Sequence, residues 1–336
     1  MPRNRNDVAR LAGVSAATVS YVINNGPRNV SEETRAKVLK AIEELGYRPN
    51  ALARNLRRQA TTTIAVVVPD TNNPSFPAVA RGVERAAFER GFTVFLCHTD
   101  NEMDRELQYV DLLGREQVAG VIWVPVHDQY LPLEKLAEWG IPTVVVDRVL
   151  PDLEKIVSVV SDNFRGGYMA TEHLIGLGHR RIAYVDAPLQ ISPSVERLQG
   201  YRAAFAEHEM ACEEQLIVAS SDFGMKGGRN TALGVLQLHP RPTAIFCYCD
   251  IVAIGVLRAA SELGIRVPEE LSVIGFDDIP QSAFSSPTLT TITNPMIDLG
   301  KRATDLLLDM IEKKEVPRKT VLDVCLMIRE STSHAP

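Results

Sequence analysis

From Thr62 to the end of the chain, short apolar runs alternate with longer amphipathic stretches, and this alternation constrains the fold more than any other feature. Brief apolar runs are the pattern of strands buried on both faces, and stretches with apolar residues at three- and four-residue spacing are the pattern of helices that cover them. TIAVVVPD, FTVFLCHTD, GVIWVPV, PTVVVD and SVVSD make a first series; RIAYVDA, QLIVASSD, AIFCYCD, LSVIGFDD and LTTIT make a second. Segments such as FPAVARGVERAAFERG, GGYMATEHLIGLG and IVAIGVLRAASELG lie between them. The order predicts α/β architecture: two Rossmann-like subdomains, each a parallel sheet flanked by helices.

Many of the strands end in an acid: Asp70, Asp100, Asp147, Asp162, Asp186, Asp222, Asp250 and Asp277. Ligands of open parallel sheets bind outside the carboxyl ends of the strands, so these aspartates are expected to gather around one crevice. Any one of them can instead cap the helix that follows its strand. Arg197 opens a helix after the PLQISPS loop, where it can face the same crevice or pair with a neighbouring acid. Carboxylates that accept hydroxyl hydrogens, arginines that donate, and rings that stack on apolar faces suit a small polar ligand such as a sugar.

The first 60 residues are different in kind. They carry eleven Lys or Arg against five Asp or Glu, a balance of +6 in a chain of −6 overall, so the remainder carries −12. A basic head on an acidic body is the footprint of a protein that meets nucleic acid through one end. Within the head, DVARLAGVSAATVSYVIN reads as two short helices joined at Gly13, with Val8, Leu11 and Ala12 on the inner face of the first and Val19, Val22 and Ile23 on that of the second. Ser15 is placed to cap the second helix. Ala16, Ala17, Thr18, Ser20 and Tyr21 are left on or near its outer face, where small side chains allow close entry into a major groove. Any amphipathic hairpin with a glycine turn shares this pattern. A third helix, SEETRAKVLKAIEELGY, is capped by Ser31, closed by Gly46, and offers Val38, Leu39, Ile42 and Leu45 to a miniature core. After Pro49 comes ALARNLRR, a helical stretch too short to hold alone in water and expected to order only against a partner.

Residues 5 to 58, with TVSYVIN, VSEETR, ELGYRPNALAR and the leucine that follows, resemble the headpiece of the LacI/GalR family of bacterial transcription regulators, and the rest of the chain resembles that family's periplasmic-binding-protein-like body. The resemblance implies a DNA-binding set of Ser15, Ala16, Ala17, Thr18, Ser20, Tyr21 and Asn24 in the helix-turn-helix. It adds Asn50, Ala53, Arg54 and Leu56 in a hinge, with Leu56 as a wedge for the minor groove at the centre of a palindrome. It implies an effector set of Asp70, Asn73, Phe76, Arg148, Asp162, Arg197, Phe223, Asp250 and Asp277. Three positions depart from the family pattern: Arg5 replaces an aliphatic residue before the first helix, Tyr21 replaces the commoner arginine, and Cys249 stands where relatives often have asparagine. The first of these is expected to loosen the helix start or to add a phosphate contact.

The expected layout is a headpiece over 1–48, a hinge over 49–61 and an effector and dimerisation domain over 62–336. The latter divides into an N-subdomain of about 62–161 plus 291–320 and a C-subdomain of about 162–290 plus 321–331. Crossovers between lobes are placed near Ser161, Thr290 and Thr320, with VLDVCLMIRES as a last strand returning to the second lobe. No phosphate loop, G-x-S-x-G elbow or H-E-x-x-H is present, and the five cysteines lack paired spacing, so neither catalysis, a cofactor, a metal nor a disulfide framework is expected. Nor is a membrane span or secretory leader, which makes the cytoplasm the expected compartment. The expected function is a homodimeric repressor that binds a palindromic operator in double-stranded DNA, its affinity set by a small effector, a sugar by preference. A purine-responsive regulator and a solute-binding receptor without specific DNA function are the alternatives.

Overall fold

A computed structural model describes residues 4–24, 30–47, 61–126, 131–150 and 156–336. The chain forms two compact units, Met1–Thr61 and Thr62–Pro336.

The first unit is a three-helix cluster of α1 (Arg5–Ala12), α2 (Ala16–Asn24) and α3 (Glu32–Leu45). The Asn4 side chain accepts from the amides of Asn6 and Asp7, and Asp7 returns a carboxylate to the Asn4 amide, a reciprocal cap that satisfies the free donors of α1. Arg5 therefore begins a firmly capped helix, contrary to the loosening expected of it. Gly13 ends α1 at φ +66°, a conformation that costs a side-chain-bearing residue energy and lets the chain turn at once into α2. Val8, Ala9, Val19, Val22, Val38 and Ala41 form the buried core. Leu11 and Leu39, expected in that core, are half exposed. Three short helices enclose too little volume for every apolar residue at helical spacing, and the small Ala9 and Ala41 take the close positions instead.

The second unit contains two six-stranded sheets. In the first lobe β1 (Thr63–Val68), β2 (Thr93–His98), β3 (Gly120–Trp123), β4 (Thr143–Val146), β5 (Val157–Ser161) and β11 (Lys319–Leu322) are all parallel. Ile64, Val66 and Val68 face one apolar cluster and Ala65 and Val67 another, so the centre of the sheet is buried on both sides, which is why β1, β3 and β4 read as unbroken apolar runs. In the second lobe β6 (Ile182–Asp186), β7 (Ile217–Ala219), β8 (Ala244–Cys247), β9 (Ser272–Asp277) and β10 (Thr290–Thr293) are parallel, and β12 (Cys325–Met327) runs antiparallel to β10.

The helices are α4 (Ser75–Glu89), α5 (Met103–Arg115) and α6 (Leu131–Glu138) in the first lobe, α7 (Asn163–Gly176), α8 (Ser192–Glu207), α9 (Met225–Val235) and α10 (Asp250–Glu262) in the second, and α11 (Met296–Ile311). The last packs Met296, Leu299, Ala303 and Leu307 into the core of the first lobe. Since β10 pairs with β9 in the second sheet, the return to the first lobe comes at Asn294 and Pro295, not near Thr290. The segment VLDVCLMIRES is likewise not one strand. Its first residues pair with β5 in the first sheet, and Val324 is buried in the core of the second lobe, so the third crossing lies at Asp323 and Val324. The subdomain boundaries accordingly move three or four residues beyond those expected at 291 and 321.

Candidate effector site and DNA-reading unit

The carboxyl ends of the two sheets face each other across a cleft that is partly open to solvent. Asp70, Asn73, Phe76, Ser75 and Asn101 line it from the first lobe together with Asp147 and Arg148; Ile191, Ser194, Arg197, Phe223, Tyr248, Cys249 and Asp277 line it from the second, and Met296 belongs to the helix entered at a crossing.

Arg197 and Asp277 are the centre of the second-lobe wall. Arg197 is placed by the approach of α8 to α7, which is close because Gly167 has no side chain: a Cβ there would lie 2.1 Å from the Arg197 carbonyl oxygen. Its Nε donates to Asn163 Oδ1 at 2.9 Å, a second nitrogen donates to the Tyr248 carbonyl, and the guanidinium carbon sits 3.6 Å from the centre of the Phe276 ring. Its remaining nitrogen is 3.7 Å from Asp277 Oδ1. Asp277 accepts from Asn294 Nδ2 and from Ser75 Oγ, each at 3.0 Å, and the Ser75 bond joins the two lobes directly. Burial raises the Asp277 carboxyl above the usual range, against the opposing pull of Arg197.

On the first-lobe wall, Arg148 donates to the carboxylate and the carbonyl of Asp147. Both side chains are almost wholly buried, yet Asp147 Oδ1 and Arg148 Nε have no partner among the described residues. Asp147 and Asp277 also hold φ of +65° and +112°, conformations that an L residue adopts at a cost and that recur at binding sites. Beneath this wall Glu106 is 1% exposed; it accepts from Trp123 Nε1 at 3.1 Å and from the Val126 amide at 2.9 Å. Burial raises its carboxyl, while those two hydrogen bonds and the charge of Arg148 oppose the rise.

Two residues expected at the effector site do not line the cleft. Asp162 caps α7 through the Arg165 amide. Asp250 is fully buried and accepts from the Ile279 amide and from the hydroxyls of Ser282 and Thr291, which ties the loop after β9 to α10. A Cβ on Gly275 would lie 2.1 Å from its Oδ1, so the neighbouring strand leaves it room by having no side chain there. Burial foremost, and then the charge of Asp277, push its carboxyl up to about 8. Of the eight strand-end acids, only Asp70, Asp147 and Asp277 reach the cleft. Asp186 and Asp222 serve local amides at the turns after their strands, and Asp100 pairs with Arg105. The sequence reading left Asp147 out of the effector set and did not single out Ser75, Asn294 or Glu106; only the acid at the end of VVVD offered a signal.

In the first unit, the Ser15 hydroxyl accepts from the Thr18 amide at 3.1 Å and so caps α2. Ala17 is exposed, Thr18, Ser20 and Tyr21 are half-buried, and Ala16, expected near the outer face, packs against the unit's core. The side chain of Asn24, and all of Asn50, Ala53, Arg54 and Leu56, lie outside the described residues.

The family model for bacterial regulatory proteins of the lacI family matches residues 6–50, and that for the periplasmic binding protein-like domain matches residues 171–332. The ribose operon repressor of Halalkalibacterium halodurans is 38% identical over 97% of this chain and 96% of its own. The transcriptional repressor PurR of Aliivibrio salmonicida is 37% identical over 93% of each chain. The structure of the lac repressor dimer bound to operator and the anti-inducer ONPF superposes with a TM-score of 0.89 at 29% identity, covering 99% of this chain and all of that one. The helix-turn-helix unit, the two-lobed body and the identity across nearly the full length place the chain in the LacI family of bacterial transcriptional regulators.

Proposed function

We propose that this regulator is a homodimeric repressor controlled by a sugar held in the interlobe cleft. The observation that carries the reading is the convergence of Asp147, Arg148, Arg197 and Asp277 between two lobes that the chain crosses three times. These four supply donors and acceptors from both walls, with Phe76 and Phe223 as apolar faces, a combination that suits hydroxyl groups on a ring. Asp70 and Asn73 join them as effector-binding residues.

The lobes are already linked by Ser75 Oγ to Asp277 and by Ser192 Oγ, which accepts from the Val149 amide at 2.9 Å. A ligand that bonds to both walls adds to these links or displaces them, and so favours one arrangement of the lobes. Operator affinity then changes by the ligand's differential affinity for the two arrangements. Association of two copies is supported by apolar side chains left open: Phe95 and Leu96 on the edge strand β2, and Phe284, which is 87% exposed. A dimer sets two helix-turn-helix units on successive half-sites, with Ala17, Thr18 and Tyr21 toward the bases. Among the described residues no helix is long and apolar enough to cross a membrane, in keeping with action in the cytoplasm.

The test is selection of bound sequences from a random DNA pool by the purified protein, with and without a panel of sugars and nucleobases. A palindrome whose recovery changes with one sugar supports the proposal. A response to a nucleobase alone replaces the sugar with a purine, and no enriched site overturns the operator reading.

A further inference from the structure

We infer that the cleft selects an uncharged ligand and rejects phosphorylated or carboxylated ones, and that buried Glu106 enforces this selection from behind the wall. The inference rests on the cleft being the effector site.

Among the described residues, Arg148 and Arg197 are the only Lys or Arg side chains lining the cleft, and each is 4% exposed. Both are matched. Arg197 faces Asp277, and Arg148 is bonded to Asp147. Asp70, also in the lining, leaves the described residues of the wall with one more acidic than basic side chain. Glu106 places a further carboxyl group behind that wall. It is fixed by donors from β3 and from Val126, itself a lining residue.

A phosphate or carboxylate entering here would give up its water without gaining an unmatched cation, and would meet a surplus of negative charge in a poorly solvated wall. What the first-lobe wall offers is one acceptor, Asp147 Oδ1, beside one donor, Arg148 Nε, both unpartnered among the described residues. A hydroxyl can give to the first and receive from the second; an anion can use only the second.

The experiment is calorimetric titration of the full chain with neutral pentoses and hexoses, with the monophosphate of each, and with inorganic phosphate, followed by operator binding in the presence of each binder. The expected result is a neutral sugar that binds, a monophosphate of the same sugar about 100-fold weaker, and no binding of inorganic phosphate. Glu106→Gln keeps an acceptor for Trp123 and Val126 but removes the charge. It is expected to tighten the monophosphate about tenfold while moving the neutral sugar less than about threefold. Loss of affinity for both ligands alike would make Glu106 merely structural and overturn its role. A monophosphate that binds the unmodified chain as well as its parent sugar and shifts operator affinity would overturn the inference while leaving the effector reading intact. Failure of every neutral sugar to bind would overturn both.

Discussion

Asp250 separates a structural account of the second lobe from a ligand-binding one, and its removal has a calculable effect. The carboxylate receives three donors, the Ile279 amide and the hydroxyls of Ser282 and Thr291, none with access to water through it. Asp250→Ala leaves all three without their acceptor in a buried site. At about 1–3 kcal/mol for each buried group left unpaired, and with partial relaxation, the expected loss is about 3–5 kcal/mol. That is a large share of the stability of an ordinary domain.

Asp250→Asn behaves differently, because an amide mimics the neutral acid. With the folded carboxyl pushed up to about 8 by burial, the native state favours the protonated form relative to the unfolded chain. The sign follows: the stabilisation is complete below the unfolded value near 4 and is lost as pH rises through about 8. The asparagine variant lacks this slope, so it gains on the parent protein as pH rises from about 4 to about 8, by on the order of 5 kcal/mol at most. Urea denaturation of the full chain, followed by far-ultraviolet circular dichroism across that range, reads both effects. A stability difference that stays flat with pH would refute the buried-acid argument. Unchanged stability of Asp250→Ala with lost effector binding would return the residue to the ligand.

Three further outcomes are expected. Ser75→Ala removes a direct bond between the lobes at a cost of about 1 kcal/mol and is expected to shift effector affinity two- to tenfold in calorimetry; no shift would mean that the Ser75 to Asp277 link does not bias the lobes. Leu56→Ala is expected to weaken operator binding far more than binding to random DNA, by about 1–3 kcal/mol in the difference, and equal loss on both DNAs in a filter-binding assay would remove the wedge role. Ser15→Ala is expected to cost the first unit about 1 kcal/mol, measured by thermal melting of the isolated 1–61 segment if it folds alone, or by proteolysis of that unit in the full chain if it does not; an unchanged melting point or cleavage rate would show that the Ser15 cap is dispensable.

The central strands were legible because they are buried on both faces and so read as apolar runs with a turn signal at the end. The crossing at Asp323 and Val324 was not. Its two half-strands are short, pair only at sheet edges, and together look like one strand with a single acid inside. The same limit applies to the site. An aspartate after a strand can line a cleft, as Asp277 does, cap a helix, as Asp162 does, or hold a loop, as Asp250 does, and the three are identical in sequence. What distinguishes them is a partner far along the chain, such as Ser75, which lies 202 residues from Asp277. Glu106 was hidden for a related reason: a glutamate inside an amphipathic helix reads as a solvated face until Trp123 and Val126 are found donating to it.

The central claim is that a ligand in the cleft controls operator affinity through groups on both walls. Its most direct test is fluorescence anisotropy of a labelled, selected operator titrated with the full chain and with Asp277→Asn, each with and without the sugar found to act. The account predicts that both proteins bind the operator alike without ligand and that only the parent protein changes its affinity when the sugar is added. An Asp277→Asn protein that responds to the sugar as the parent does would contradict it.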